Sequence, residues 1–351
     1  MFRNRLINGD MGIDQRNVSQ SVSVTSTGSN YVVDQWIATC GTGTALHQQV
    51  AITDLDGFIT GAKMTKTGAG TANAGNIAWE QRIEGLNVKD LNWGKANASS
   101  VTVSFWINSS VTGTYSVAVR NTAPTATRSY ATNFTITSAN TWQQVSATIP
   151  GDTTGTWNTG NSIGMVLNIT MGAATAAIAP SASTWAGANY FAATGISSTF
   201  QTSANATCTI TGVQLEKGST MTTFEFRPYA FELPMCQRYL NVYRLSQVGR
   251  LATGAWYGAS QYGVFVFFTS PVDMRVVPSL TVLGNGLGAV VHEGVAWYDV
   301  TATPTISADS TVRYFTVSLI TNNNTKASGT VATWGGNNGG NLPSPLFSAE
   351  L

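Results

Sequence analysis

The feature that most constrains this chain is a hydrophobic period of two, repeated in segment after segment. Ile77, Trp79, Gln81 and Ile83 fall on one side of their segment, with Glu80, Arg82 and Glu84 on the other. Val101, Val103, Phe105 and Ile107 alternate with Thr102, Ser104, Trp106 and Asn108. Tyr115, Val117 and Val119 continue after a turn at Gly113, and Ile163, Met165, Leu167, Ile169 and Met171 repeat the pattern. Successive side chains of a strand point to opposite faces, so one apolar face per segment means antiparallel sheets packed over a core. Such segments recur about every ten to fifteen residues, with Gly, Asn and Ser between them, as in β-sandwiches. Helical spacing shows only at Leu233, Cys236 and Leu240, with Pro234 near the start, where a missing N–H costs least. The chain is therefore expected to be all-β, with two β-sandwich domains joined by a short helix.

Charge marks the join. Thr153 to Leu215 contains no Asp, Glu, Lys or Arg. Gln214 to Tyr239 gathers Glu216, Lys217, Glu225, Arg227, Glu232 and Arg238, beside Phe224, Phe226, Tyr229 and Phe231. A charged segment beside such a neutral one points to fixed polar contacts at a junction; the alternative is a solvated linker, which needs less apolar surface than these aromatics supply. The expected boundaries are 1–228 for the first sandwich, 229–240 for the helical junction and 241–351 for a smaller second sandwich. From Gly172 to Ala206 the alternation fails, and Trp185, Tyr190, Phe191 and Phe200 make this long stretch read as an ordered loop. Trp334 to Leu342, WGGNNGGNL, reads as a glycine–asparagine loop before the last strand.

Composition limits function. At 351 residues the chain is long for one β domain and comfortable for two. Charged residues are 10% and net charge is +1, so no field draws in nucleic acid or an anionic membrane. Cys40, Cys208 and Cys236 are distant from one another and odd in number, and read as small buried hydrophobes rather than bridges. The opening MFRNRLINGD lacks the apolar core of a signal peptide. Ile163 to Ala179 is too short and too interrupted by polar residues to span a bilayer.

Catalytic patterns are thin. Gly160-Asn161-Ser162-Ile163-Gly164 fits G-x-S-x-G, but a nucleophile elbow needs a helix after the Ser, and a strand pattern follows instead. The two histidines, His47 and His292, fall one in each expected domain. Glu80 and Glu84 share a strand face roughly 13 Å apart, beyond the roughly 5 to 9.5 Å of a glycosidase pair. Asp54-Leu55-Asp56-Gly57 opens like a calcium loop, but Thr65 stands where a bidentate Glu belongs. No catalysis, metal or cofactor is expected.

Several stretches carry a resemblance. VQLEKG, FEFRPY and FELPMCQRY together resemble a junction in bacteriophage virion proteins of the tail-fibre and head-fibre type. LINGDMGIDQRN with YVVDQW, QRIEGLNVKDLNWGKANASSVTVSFWINSS and the final FSAEL resemble further parts of the same proteins. The resemblance covers most of the chain and is specific in combination. It implies a jelly-roll sandwich like that of carbohydrate-binding modules followed by a second β domain. It also implies a virion location and association with itself, usually as a trimer, and with other virion proteins; it does not imply a catalytic residue. The acidic pair that holds calcium in related sugar-binding sandwiches is missing from TITGVQLEKG.

Glycan binding calls for exposed aromatic rings flanked by short polar groups. Trp106 points away from the Val103 and Phe105 face, Trp185 and Tyr190 lie on the long loop, and Trp334 opens the glycine–asparagine loop; these four are the candidate glycan contacts. Three of them have a packing alternative: Trp106 under a loop or against the second sheet, Trp185 and Tyr190 pinning their loop or meeting a neighbouring subunit. The leading expectation is a non-enzymatic virion fibre engaging host-surface glycans. Its rivals are a purely structural decoration or connector protein and a glycan depolymerase.

Overall fold

The alternating segments pair as antiparallel strands, and the protein is all-β. The computed structural model describes residues 2–25, 28–122, 127–244, 250–257, 263–283, 289–292, 296–321, 331–335 and 343–351. The chain forms two units, Met1–Glu232 with Leu351, and Leu233–Glu350.

The first unit is a jelly-roll sandwich of two sheets. One sheet has the spatial order Val22–Thr25, Thr44–Ala51, Thr60–Gly68, Thr207–Lys217, Val101–Ser109 and Gln143–Ile149. The other runs Thr184–Ala186, Ser129–Ile136, Gly113–Arg120, Ile163–Gly172, Ile77–Glu84, Trp36–Cys40 and Ser29–Val33. Their apolar faces close on a core that includes Trp36, Trp79, Phe105, Tyr115, Leu167 and Phe200. The period-two pattern dictates this arrangement, since a one-residue slip would turn each apolar set out to water. The stretch 172–206 is ordered but not a single loop: it holds Ile178–Ala179 paired parallel with Ala192–Ala193, the strand Thr184–Ala186 and a helical turn at Thr199–Thr202.

The charged stretch makes fixed contacts. Glu225 accepts from the backbone N–H groups of Arg3 and Asn4 at 3.1 and 2.8 Å. Arg227 is almost wholly buried and donates to Glu232 at 3.0 Å and to the carbonyls of Asn4 and Leu6 at 2.6 and 2.8 Å. Glu232 also accepts from the Asn8 N–H. An N-terminal segment without ladder partners of its own is thus pinned by side chains more than two hundred residues away. The helix runs from Tyr229 to Gln237, so Pro234 sits inside it rather than near its start. The carbonyl of Pro228 takes the N–H groups of Phe231 and Glu232 and starts the helix earlier than the Leu233 spacing suggests.

The second unit has a three-stranded sheet, Leu240–Val242, Ser344–Ser348 and Ser279–Leu283. Its seven-stranded sheet runs Ala296–Asp299, Ala289–His292, Val331–Gly335, Arg250–Tyr257, Gly263–Thr269, Tyr314–Ile320 and Thr305–Ile306. Its core includes Trp256, Phe268, Phe315, Trp334 and Phe347. Trp334 therefore does not open a surface loop. It lies within Val331–Gly335, fully buried, pairs with Ala252 and meets the Phe268 ring edge-on at 6.0 Å. Residues 336–342, the rest of the expected glycine–asparagine loop, lie outside the described residues. No helix among the described residues is long and apolar enough to cross a membrane.

Candidate functional site

Alternation along Val101–Ser109 sends Val103, Phe105 and Ile107 into the core and leaves Ser104 and Trp106 on the outer face of the six-stranded sheet. The neighbouring strand carries a bulge there: Thr211 pairs with Trp106 but Gln214 pairs with Ser104, leaving an extra residue at Gly212–Val213. Bulges re-aim side chains and locally bend a strand. Gly212 has φ +59°, and a Cβ on it would come within 2.6 Å of the Phe58 ring and 3.2 Å of the Trp106 ring. Glycine at this position both permits the backbone conformation and makes room for two aromatic rings.

A segment after the strand folds back to form the opposite wall. Gln214 accepts from the Glu225 N–H at 2.9 Å, and Glu216 takes the N–H and hydroxyl of Thr222 at 2.8 and 2.7 Å. These bonds place Phe224 and Phe226 beside Phe58, with ring centroids 4.8 to 5.4 Å apart in edge-on or tilted contact. The result is a cleft of about 460 Å³ with aromatic walls from Phe58, Trp106, Phe224 and Phe226 and a polar floor and rim from Ser104, Gln144, Thr223 and Asp56. The Trp106 indole N–H, the Ser104 hydroxyl, the Gln144 amide and the Asp56 carboxylate have no hydrogen-bond partner among the described residues. Together they offer both donors and acceptors. Asp54, which does not line the cleft, accepts from the Trp142 indole at 2.9 Å.

Of the four aromatic candidates, only Trp106 lines this cleft. Trp185 lies in the strand Thr184–Ala186 and packs edge-on against Trp93 and Trp157 at 5.3 and 5.8 Å, with Tyr130 at 5.3 Å. Its indole donates to the Pro150 carbonyl at 3.0 Å, and the Arg128 guanidinium sits 5.6 Å from the ring centroid. Arg128 is itself held by Asp152 through two bonds of 2.8 Å. Trp185 is thus not a free sugar platform; its ring and its donor are already engaged in pinning the loop. Truncating Trp185 to Ala should lower stability by on the order of 3 kcal/mol, read by urea unfolding, with ligand binding by folded protein unchanged. Tyr190 is half-buried and its backbone N–H donates to Ser129 at 3.2 Å. Trp334 belongs to the other unit's core.

Phe58, Phe224, Phe226, Gln144 and Asp56 were not singled out from sequence as binding residues. The signals present were Gly212 inside a strand pattern, which marks a bulge or a close approach, and the alternate aromatics of Phe224 and Phe226.

The hydrolytic patterns find no support in geometry. Ser162 precedes the strand Ile163–Gly172, with no helix after it. Glu80 is tied to Arg82 at 2.8 Å and to Arg120 and Asn168. Burial alone would raise its carboxyl, but Arg120 and Arg82 hold it below the usual range. Among the described residues, no three or more His, Cys, Asp or Glu side chains gather as a metal site would need.

No family model matches the chain, and no curated protein matches it. Solved structures give distant likenesses. A Bacteroides thetaiotaomicron protein described as sugar-binding is 12% identical, with 61% of this chain and all of that one covered, at a TM-score of 0.36. The enzymatically active domain of tailspike protein 4 of bacteriophage CBA120 is 12% identical over 61% of this chain and 21% of that one, at 0.30. The family 11 carbohydrate-binding module of a Clostridium thermocellum cellulosomal cellulase is 12% identical over 57% of this chain and all of that one, at 0.27. The jelly-roll architecture of the first unit stands on its sheet order.

Proposed function

We propose that this protein is a non-enzymatic binding protein that takes an uncharged saccharide in the Trp106 cleft. One observation carries the reading: unpartnered donors and acceptors, from Trp106, Ser104, Gln144 and Asp56, converge between aromatic walls. A sugar presents that mixture, with hydroxyls that both donate and accept and C–H faces that lie against rings. Asp56 is the one charged residue lining the cleft, so nothing there compensates an anionic sugar, and glycoside hydrolysis, which uses two carboxylates, has no second partner. In the setting that the sequence resemblance implies, the protein is a bacteriophage virion fibre, self-associated as a trimer, and the saccharide belongs to the host surface.

Screening the full chain against immobilised neutral and acidic oligosaccharides tests this. Retention on a neutral glycan without release of reducing ends supports the reading. Failure to bind any glycan favours a purely structural role, and release of reducing ends favours a depolymerase.

A further inference from the structure

Lys66 is fully buried, and no carboxylate lies within ion-pairing distance of it among the described residues. Its Nζ donates to the Thr42 carbonyl at 2.7 Å and lies 3.7 Å from the Cys40 thiol. Cys40 is also fully buried and unbridged, and its Sγ donates to the same Thr42 carbonyl at 3.3 Å. One carbonyl thus gathers the amine and the thiol. Gly43 keeps their space open, since a Cβ there would come within 2.7 Å of Lys66 Nζ. The Lys66 backbone is fixed as well, donating to Ala206 and accepting from Asn205. His47, near enough to Lys66 to feel its charge, is buried with both ring nitrogens unpartnered. An amine excluded from water without a counter-charge is an unfavourable arrangement, and a covalent bond that removes its charge would relieve it.

We infer that Cys40 and Lys66 form an oxidation-dependent covalent link, Sγ–O–Nζ, that staples the two sheets of the first unit. Cys40 ends a strand of the seven-stranded sheet and Lys66 lies in the six-stranded one, so the link crosses the sandwich. The Lys66 ammonium first releases one proton to solvent; with dioxygen as oxidant, the thiol S–H bond and one N–H bond of the neutral amine are then lost and S–O and O–N bonds form. Sulfur and nitrogen each give up two electrons, and the second oxygen atom leaves as water. An oxygen-bridged link needs less movement from 3.7 Å than a direct S–N bond. Its place on the cysteine oxidation ladder is beside the reversible caps that thiols remove. A cross-link of this kind limits the unfolded chain as a disulfide does.

The test is peptide mass spectrometry on the full chain, one sample kept under air and one under nitrogen with dithiothreitol. The expected result is a linked peptide pair containing Cys40 and Lys66, heavier than the unlinked pair by one oxygen less two hydrogens, and absent after reduction. The aerated protein should also melt several degrees above the reduced one. That difference should vanish in Cys40→Ala and in Lys66→Met and persist in Cys208→Ser. A Cys40 that alkylates fully on denaturing the aerated protein overturns the inference. So does Cys40 oxidation without linkage, or a link that contains no oxygen. The wild-type mass measurement decides even if a variant does not fold.

Discussion

Replacing Arg227 by Met should destabilise the first unit by about 3–5 kcal/mol, the usual result of removing one partner of a buried ion pair. The groups that depend on this guanidinium include the Glu232 carboxylate, the carbonyls of Asn4 and Leu6, and Glu225 at 3.7 Å. The methionine can fill much of the volume, so the loss is polar rather than a cavity. Burial raises the Glu232 carboxyl even with Arg227 and the Asn8 N–H drawing it down. Without Arg227 its ionised form would be opposed further. A companion change, Glu232→Gln, keeps an acceptor for Asn8 and removes the stranded charge, so the double variant should recover a substantial part of the loss. Urea unfolding of the four proteins in the cycle gives the coupling directly; additivity would mean that the pair does not hold the N-terminal segment as described.

Acidification should weaken the protein well before its ion-paired carboxylates Glu80, Asp152 and Glu225 titrate, and His47 is the reason. Burial, aided by the nearby Lys66 charge, lowers its pKa from 6.5 to about 3. The unfolded chain takes up this proton below about pH 6.5 and the folded chain does not until about pH 3. Stability is therefore fully present above 6.5 and falls as the pH drops through that window, by up to about 1.4 kcal/mol per pH unit. Glu80, Asp152 and Glu225, all held below their usual values, add their losses only at lower pH. Between pH 6.5 and 4.5 the slope of the loss should thus belong to His47, opposed by Glu232, whose raised carboxyl takes up its proton in the folded chain before the unfolded one. His47→Leu should flatten it at little cost at pH 7, because neither ring nitrogen has a partner to lose. Urea midpoints measured across that range check this, and an unchanged slope in the variant would refute it.

Legibility followed the range of the interactions. Period-two patterning is local, so the all-β class and the outward aim of Trp106 could be read from residues 101 to 108. The same pattern hides non-local events. Trp334 stands before two glycines and looks like a loop residue, yet Arg250–Tyr257 and Ala289–His292 pair with its strand and its ring packs against Phe268 in the core. Trp185 sits in a stretch without alternation, and its engagement depends on Trp93, Trp157 and Arg128, far away in sequence. The cleft needed residues near positions 56, 106, 144, 212 and 224 to converge, which no spacing rule encodes. Pro234 misled for a related reason: the Pro228 carbonyl starts the helix one turn earlier than the apolar triplet does.

The most direct measurement is a calorimetric titration of wild type, Trp106→Ala and Trp185→Ala with the tightest-binding neutral oligosaccharide from the screen. Truncating a true hot-spot aromatic costs at least about 2 kcal/mol, which is roughly a thirtyfold loss of affinity. The account predicts that loss for Trp106→Ala and wild-type affinity for folded Trp185→Ala. Unchanged binding by Trp106→Ala, with or without a loss in Trp185→Ala, would contradict it.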